Sequence, residues 1–156
     1  MNRSNTGLHQ EGADAIREIE RLWRHGGAPY DPQALTGLYA DDALFFGGLP
    51  DHYVGQVEIE RYFEHYRELV RTSSLGFRDL IFRRLSDSII AAQGFVDFTF
   101  GLPNDQTSYA TLRATLVVSR GSDGWRILLQ HFSIPPLKTP VPDHRPINRD
   151  RDRDDV

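Results

Sequence analysis

Residues 108–136 read SYATLRATLVVSRGSDGWRILLQHFSIPP. Two runs of strand composition flank Gly121-Ser122-Asp123-Gly124, a separator of hairpin length and turn chemistry, so the stretch reads as two antiparallel strands joined by a tight turn. In the second run, side chains alternating with period two place Trp125, Ile127, Leu129, His131 and Ser133 on one face. Two polar groups therefore end an apolar row. If that row faces a core, both must be hydrogen-bonded, because an unpaired buried polar group costs roughly 1–3 kcal/mol. Two readings stand for His131: a structural histidine satisfied by backbone, or a group that lines a pocket with Ser133 beside it.

Upstream, Phe77 to Leu85 and Ser88 to Phe100 have the same strand composition, separated by Ser86-Asp87 and, before Ser108, by Gly101 to Thr107. Four successive hairpin-linked strands make an antiparallel meander. The first half of the chain has a different period. Ile16, Ile19, Leu22 and Trp23 recur at three and four among Arg17, Glu18, Glu20 and Arg21, predicting a helix from Ala13 that Gly26-Gly27 stops. Asp31-Pro32 is an N-cap followed by proline at the first helical position, and Ala34, Leu35, Leu38 and Tyr39 form the apolar side of a short second helix ended by Asp41-Asp42. Ala43 to Phe46 is a short strand, and Leu49 to Val54 a loop with Asp51 and His52. Ile59, Tyr62, Phe63, Tyr66, Leu69 and Val70 then fit a third helix. Helices first and long strands after predict an α+β domain, three N-terminal helices packed on one face of a curved antiparallel sheet.

The boundaries follow from composition. Residues 1–12 are polar and read as a flexible N-terminus, residues 13–138 as the domain. Residues 139–156, rich in proline and then in alternating Arg and Asp, read as a disordered or surface-lying tail. A chain of 156 residues is one domain by length. Its net charge of −4 gives no basic field for nucleic acid or a membrane surface. With no cysteine, thiolate nucleophiles and Cys-ligated zinc are excluded. The six histidines make no i, i+4 pair, so no metal and no cofactor is expected. Met1 to Gln10 has no apolar core of a signal peptide and no eighteen apolar residues run together, from which we expect a soluble, cytoplasmic protein.

The element order resembles that of the nuclear transport factor 2-like superfamily. Leu38-Tyr39-Ala40-Asp41-Asp42-Ala43, then Gly55, Ile59 and Tyr62-Phe63, resemble its SnoaL-like members. Gly94, Phe98, the run Arg113 to Val118, Trp125 with Ile127, His131 with Ser133, and Pro136 are similar to the branch of the calmodulin-dependent kinase II association domain. The resemblance implies a cone-shaped α+β barrel whose wide end opens to a largely apolar cavity, and a homodimer formed through the outer sheet face.

The resemblance also sets what the chemistry requires. In ketosteroid isomerases of this fold a carboxylate base follows the short first strand, and here that place falls on Gly47, which argues against the isomerase mechanism. The epoxide hydrolase pattern needs carboxylates near Arg113; Asp97 is the candidate, but it faces out if Phe98 and Phe100 face in. What remains is His131 as general acid or base, Arg113 to hold an anionic or enolate-like oxygen, and Tyr66 as a hydrogen-bond donor. Trp23, Tyr39, Phe46, Tyr62, Phe98 and Ser133 are the expected ligand-binding lining. Strand parity alone leaves open which face Arg113 occupies, and the helical tyrosines fit a plain core as well as a site. Two functions follow as expectations: cofactor-independent cyclisation, isomerisation or dehydration of an apolar, polyketide-like or aromatic ligand, or a non-catalytic homodimeric ligand-binding or association module.

Overall fold

The computed structural model describes residues 3–138, with side chains from residue 6 onward. The tail expected at 139–156 lies outside the described residues. Helix α1 spans Arg3–Gly27, α2 Pro32–Thr36 and α3 Gly55–His65; the strands are β1 Tyr39–Phe46, β2 Tyr53–Val54, β3 Thr72–Ser86, β4 Ile89–Gly101, β5 Thr107–Gly121 and β6 Gly124–Ser133. The four long strands pair in the order of the expected meander. The full sheet, unclosed at its edges, runs β2-β1-β6-β5-β4-β3. It departs from the expectation in one pairing: β1 lies parallel to β6, matching Leu44 with Leu129 and Phe46 with His131.

Helix α1 starts ten residues before the expected Ala13. Its first turns are not free, because His9 meets the Phe82 ring edge-on at 5.4 Å and Glu11 pairs with Arg84. Ala15, Ile16, Ile19 and Trp23 are its buried stripe. Gly12 and Gly27 let the helix lie close on β3: a Cβ at Gly12 would overlap the Phe82 ring, and one at Gly27 the carbonyl of Ser73. Asp31 caps α2 as expected, its carboxylate accepting from the N–H groups of Gln33 at 3.0 Å and Ala34 at 3.2 Å. The helix stops at Thr36, so Leu38 lies in the turn that follows, Tyr39 begins β1, and Asp41-Asp42 sit within that strand rather than ending a helix. In α3, Ile59 and Phe63 are buried while Glu58 reaches back to the Val54 N–H at 2.7 Å.

The decisive local feature is in β6. Val117 pairs with Leu129 and Val118 with Ile127, which leaves Leu128 as an extra residue. Such a β-bulge moves every side chain beyond it to the opposite face. Trp125 and Ile127 are buried before it, Gln130 and Phe132 after it, and His131 is exposed. The row Trp125, Ile127, Leu129, His131, Ser133 expected from period two therefore does not exist. The helices cover the face carrying Ile127, Gln130 and Phe132, and the core lies between them.

Candidate functional site: an aromatic cavity under the helices

Between the helices and the inner sheet face lies a cavity of about 400 Å³. Each element contributes by its own period. Trp23 comes from α1, Tyr62 and Phe63 from the last turn of α3, Tyr66 from its C-cap, and Phe45 from β1. The inward residues Phe98 and Phe100 of β4, Ala110 and Leu112 of β5, and Gln130 and Phe132 of β6 form the floor. The rings brace one another: Trp23 meets Phe63 and Phe98 edge-on at 5.8 Å each, Phe98 meets Phe132 at 5.8 Å, and Phe45 meets Tyr62 at 4.6 Å. Contacts of this kind fix ring positions beyond what area burial supplies. Leu69 and Ile134 are exposed apolar lining residues and mark the mouth.

The polar lining is sparse and uncharged. Ser73, 2% exposed, accepts from the Trp23 indole N–H at 3.2 Å. Tyr30 donates to the Phe63 carbonyl at 3.1 Å. The Tyr62 hydroxyl accepts from the Gly48 N–H at 2.8 Å, which leaves its own proton to donate. Burial pushes the Tyr62 and Tyr30 phenols well above their ordinary range, so both stay protonated at neutral pH. Tyr39 lies behind the wall, fully buried, with its hydroxyl donating to Gln130 Oε1 at 2.8 Å. Among the described residues no His, Asp, Glu, Lys or Arg lines this cavity.

Of the residues expected at the site, Trp23, Tyr62, Tyr66 and Phe98 line the cavity and Tyr39 supports it. Phe46, His131, Arg113 and Ser133 do not. Phe46 follows the inward Phe45 and so points outward, stacked on His52 at 4.6 Å and tilted on His131 at 5.3 Å. Arg113 lies between the inward Leu112 and Ala114, and its Nε donates to Ser133 Oγ at 3.2 Å. His131, Arg113 and Ser133 are brought together as expected, but on the outer face, where with Asp79, Ile81, Gln93 and Thr115 they line a separate hollow of about 550 Å³. For His131 and Ser133 the physical reason is the Leu128 bulge, which reverses the parity of β6 between Ile127 and Gln130; Arg113 faces out through the ordinary alternation of β5.

Asp97 also faces out. Thr111 donates to it at 2.6 Å and Arg78 at 2.8 Å, and these bonds, the Thr111 bond foremost, hold its carboxyl below the usual range. It has no part in the cavity. Gly47 has a steric explanation: any Cβ there would overlap the Tyr62 hydroxyl, so the place of the isomerase carboxylate is filled by a phenol. Sequence reasoning missed Gln130, Phe132, Phe100, Phe45 and Ser73. A signal for the first two was present, because Ile127-Leu128-Leu129 breaks alternation with three consecutive large apolar residues, as a bulge does. Among the described residues no group of three or more His, Cys, Asp or Glu could hold a metal ion, and no helix is long and apolar enough to cross a membrane.

Helices over one face of a curved, unclosed six-stranded sheet, with a cavity between them, define the nuclear transport factor 2-like class of α+β proteins. Within it, residues 27–137 match the SnoaL-like domain, and the chain belongs to that family. Among solved structures, it is similar to a Xanthomonas campestris protein named for the calcium/calmodulin dependent protein kinase II association domain, at 22% identity over 82% of this chain and 88% of that one, TM-score 0.69. A Novosphingobium aromaticivorans protein named for scytalone dehydratase is 13% identical over 92% and 98% of the two chains, TM-score 0.69. A nuclear transport factor 2-like superfamily protein from Salmonella enterica is 20% identical over 84% and 93%, TM-score 0.64. At these identities the likeness is one of fold. No curated protein matches significantly in sequence.

Proposed function

We propose that the protein is a binding module for a small apolar molecule, held in the cavity beneath the helices. The observation that carries this reading is the lining itself: rings and aliphatic chains, with hydroxyls, one indole N–H and one carboxamide as the side-chain polar groups among the described residues. Such a cavity rewards burial of apolar surface at roughly 25 cal/mol per Å² and penalises a charge that arrives unpaired. General acid–base catalysis needs a group that changes protonation near the working pH. The lining phenols Tyr30 and Tyr62 are pushed the other way, and His131 and Arg113 stand on the far side of the sheet. Proton transfer through His131 to a cavity ligand is therefore set aside in favour of binding.

Isothermal titration of the purified protein with tetralin, a two-ring hydrocarbon, tests the reading. Binding by the wild type and its loss in Ala110→Trp, which fills the cavity from β5, is the expected result. Equal binding by both proteins would place the hydrocarbon elsewhere and overturn it.

The same reading includes a homodimer through the outer sheet face. No helix covers that face, and it carries Ile81 at 67% exposure, Leu44 and Phe46 at 40% each, and the hollow bounded by Asp79 and Arg113. A surface holding apolar residues and both charge signs is suited to a two-fold copy of itself. The similarity to a protein named for an association domain agrees with this. A cytoplasmic setting, which the cysteine-free chain suits, belongs to the same reading and is open to cell fractionation.

A further inference from the structure

Gln130 is the one carboxamide in the cavity wall, and it is 2% exposed. Its Oε1 takes the Tyr39 hydroxyl at 2.8 Å, and Tyr39 is itself fully buried and braced edge-on against Phe45 at 5.4 Å. Turned over, the amide would donate Nε2–H to the phenol oxygen instead and leave the proton of the fully buried Tyr39 without this acceptor, so the orientation with Oε1 toward Tyr39 is favoured. Its nitrogen has no hydrogen-bond partner among the described residues, yet no buried side-chain nitrogen or oxygen is sealed away unbonded. Nε2 therefore opens on the cavity, with two N–H donors and no acceptor for them among the described residues.

A buried donor left without a partner is penalised, and the group that relieves it must come from the cavity. The other groups with protons to give are hydroxyls, one proton each: that of Tyr30 goes to the Phe63 carbonyl, Tyr62 and Tyr66 stand near Gly48, Ser108 is exposed, and Ser73 accepts from Trp23. Among the described lining residues Gln130 alone therefore offers two donors from one buried side-chain atom. We infer that Gln130 is the specificity-determining residue of the cavity, selecting an uncharged, ring-bearing ligand that presents an acceptor oxygen, a ketone or equivalent carbonyl, to Nε2. An apolar molecule without such an oxygen leaves the donor unpaired. A carboxylate meets no cation in the lining and forfeits its hydration. Tyr39 is a positioning residue, since it acts on the ligand only by fixing which end of the carboxamide faces inward.

This inference rests on the cavity being the binding site, and the experiment separates the two. Tetralin, 1-tetralone and tetralin-1-carboxylate share one ring system and differ in the oxygen. Titrated calorimetrically into the wild type, 1-tetralone is expected to bind roughly two- to tenfold tighter than tetralin, the range of one net hydrogen bond. The carboxylate is expected to bind at least about tenfold more weakly than tetralin. In Gln130→Leu the donor that tetralin leaves unpaired is gone, so tetralin is expected to bind more tightly than to the wild type and the ketone's advantage disappears. Should Gln130→Leu fail to fold, Tyr39→Phe serves, because it frees the carboxamide to rotate and is expected to shrink the ketone's advantage without altering tetralin. Tetralin binding as tightly as 1-tetralone, a carboxylate binding tightest, or an advantage that survives both substitutions overturns the role of Gln130 and leaves the cavity reading intact. Failure of both neutral probes to bind overturns the cavity reading and this inference with it.

Discussion

The hydroxyl of Tyr39 and Oε1 of Gln130, separated by 91 residues of chain, meet at 2.8 Å inside the protein. The bond joins the start of β1 to the inner face of β6, the one parallel pair in the sheet. It fastens the N-terminal half of the fold to the meander and orients the amide that faces the cavity. Burial raises the Tyr39 phenol well above its ordinary range, so the donor keeps its proton.

Tyr39→Phe removes this bond and leaves Gln130 Oε1 without its donor. A loss of about 1–3 kcal/mol of folding stability is expected, the cost of a buried polar group unsatisfied. Urea unfolding at neutral pH measures it. A change within a few tenths would mean the bond is made equally well by water.

Alkaline pH acts on the same phenols. Tyr30, Tyr39 and Tyr62 all have pKa values raised by burial above the unfolded value of 10.0. The neutral form is favoured in the folded state, so their contribution is fully present below about pH 10 and is lost as pH rises toward the folded values. Urea midpoints should be flat with respect to these groups from neutral pH to about 9 and fall above about 10. In Tyr62→Phe the alkaline fall should be shallower, with tyrosinate absorbance confirming which rings titrate. An unchanged slope would contradict the burial of Tyr62.

Gly47→Asp does not create an acid–base site. The new Cβ overlaps the Tyr62 hydroxyl and displaces a ring packed at 4.6 Å on Phe45. A destabilisation of about 1–3 kcal/mol, as for overpacking, and weaker tetralin binding are expected. A variant as stable as the wild type would show that the loop at Gly47-Gly48 yields freely.

On the outer face, His131→Ala and Arg113→Ala should leave tetralin affinity within about twofold, because neither residue lines the cavity. A tenfold loss in either would return them to the ligand site. Ile81→Glu puts a charge on an exposed aliphatic residue of that face and should halve the mass seen by light scattering. A wild type that is already monomeric at high concentration would remove the dimer from the proposed function.

The long strands were legible because alternation and turn chemistry are local: Ser86-Asp87 and Gly121 to Gly124 mark the hairpins that form. Helix α3 was legible for the same reason as far as His65, though Tyr66, Leu69 and Val70, expected on it, lie beyond its end, and the lining role of Trp23, Tyr62, Tyr66 and Phe98 was legible too. The reach of α1 back to Arg3 was not, since polar residues 3–12 gain their order from Phe82 and Arg84, more than seventy residues away. The parallel pairing of β1 with β6 is likewise non-local. His131 was misplaced because one inserted residue, Leu128, reverses every face beyond it, and period two carries no memory of a bulge unless the break in alternation is read as one.

The cavity claim is tested most directly by the indole N–H resonances of the two tryptophans in a nitrogen–proton correlation spectrum, recorded as tetralin is added. Trp23 lines the cavity and donates to Ser73, whereas Trp125 lies beside the Arg120 guanidinium, 5.6 Å from its ring, and does not line it. The expected result is a saturable shift of the Trp23 signal, assigned through Trp125→Phe, with Trp125 unmoved. A Trp23 signal that stays in place at saturating tetralin, or a shift confined to Trp125, would contradict the account.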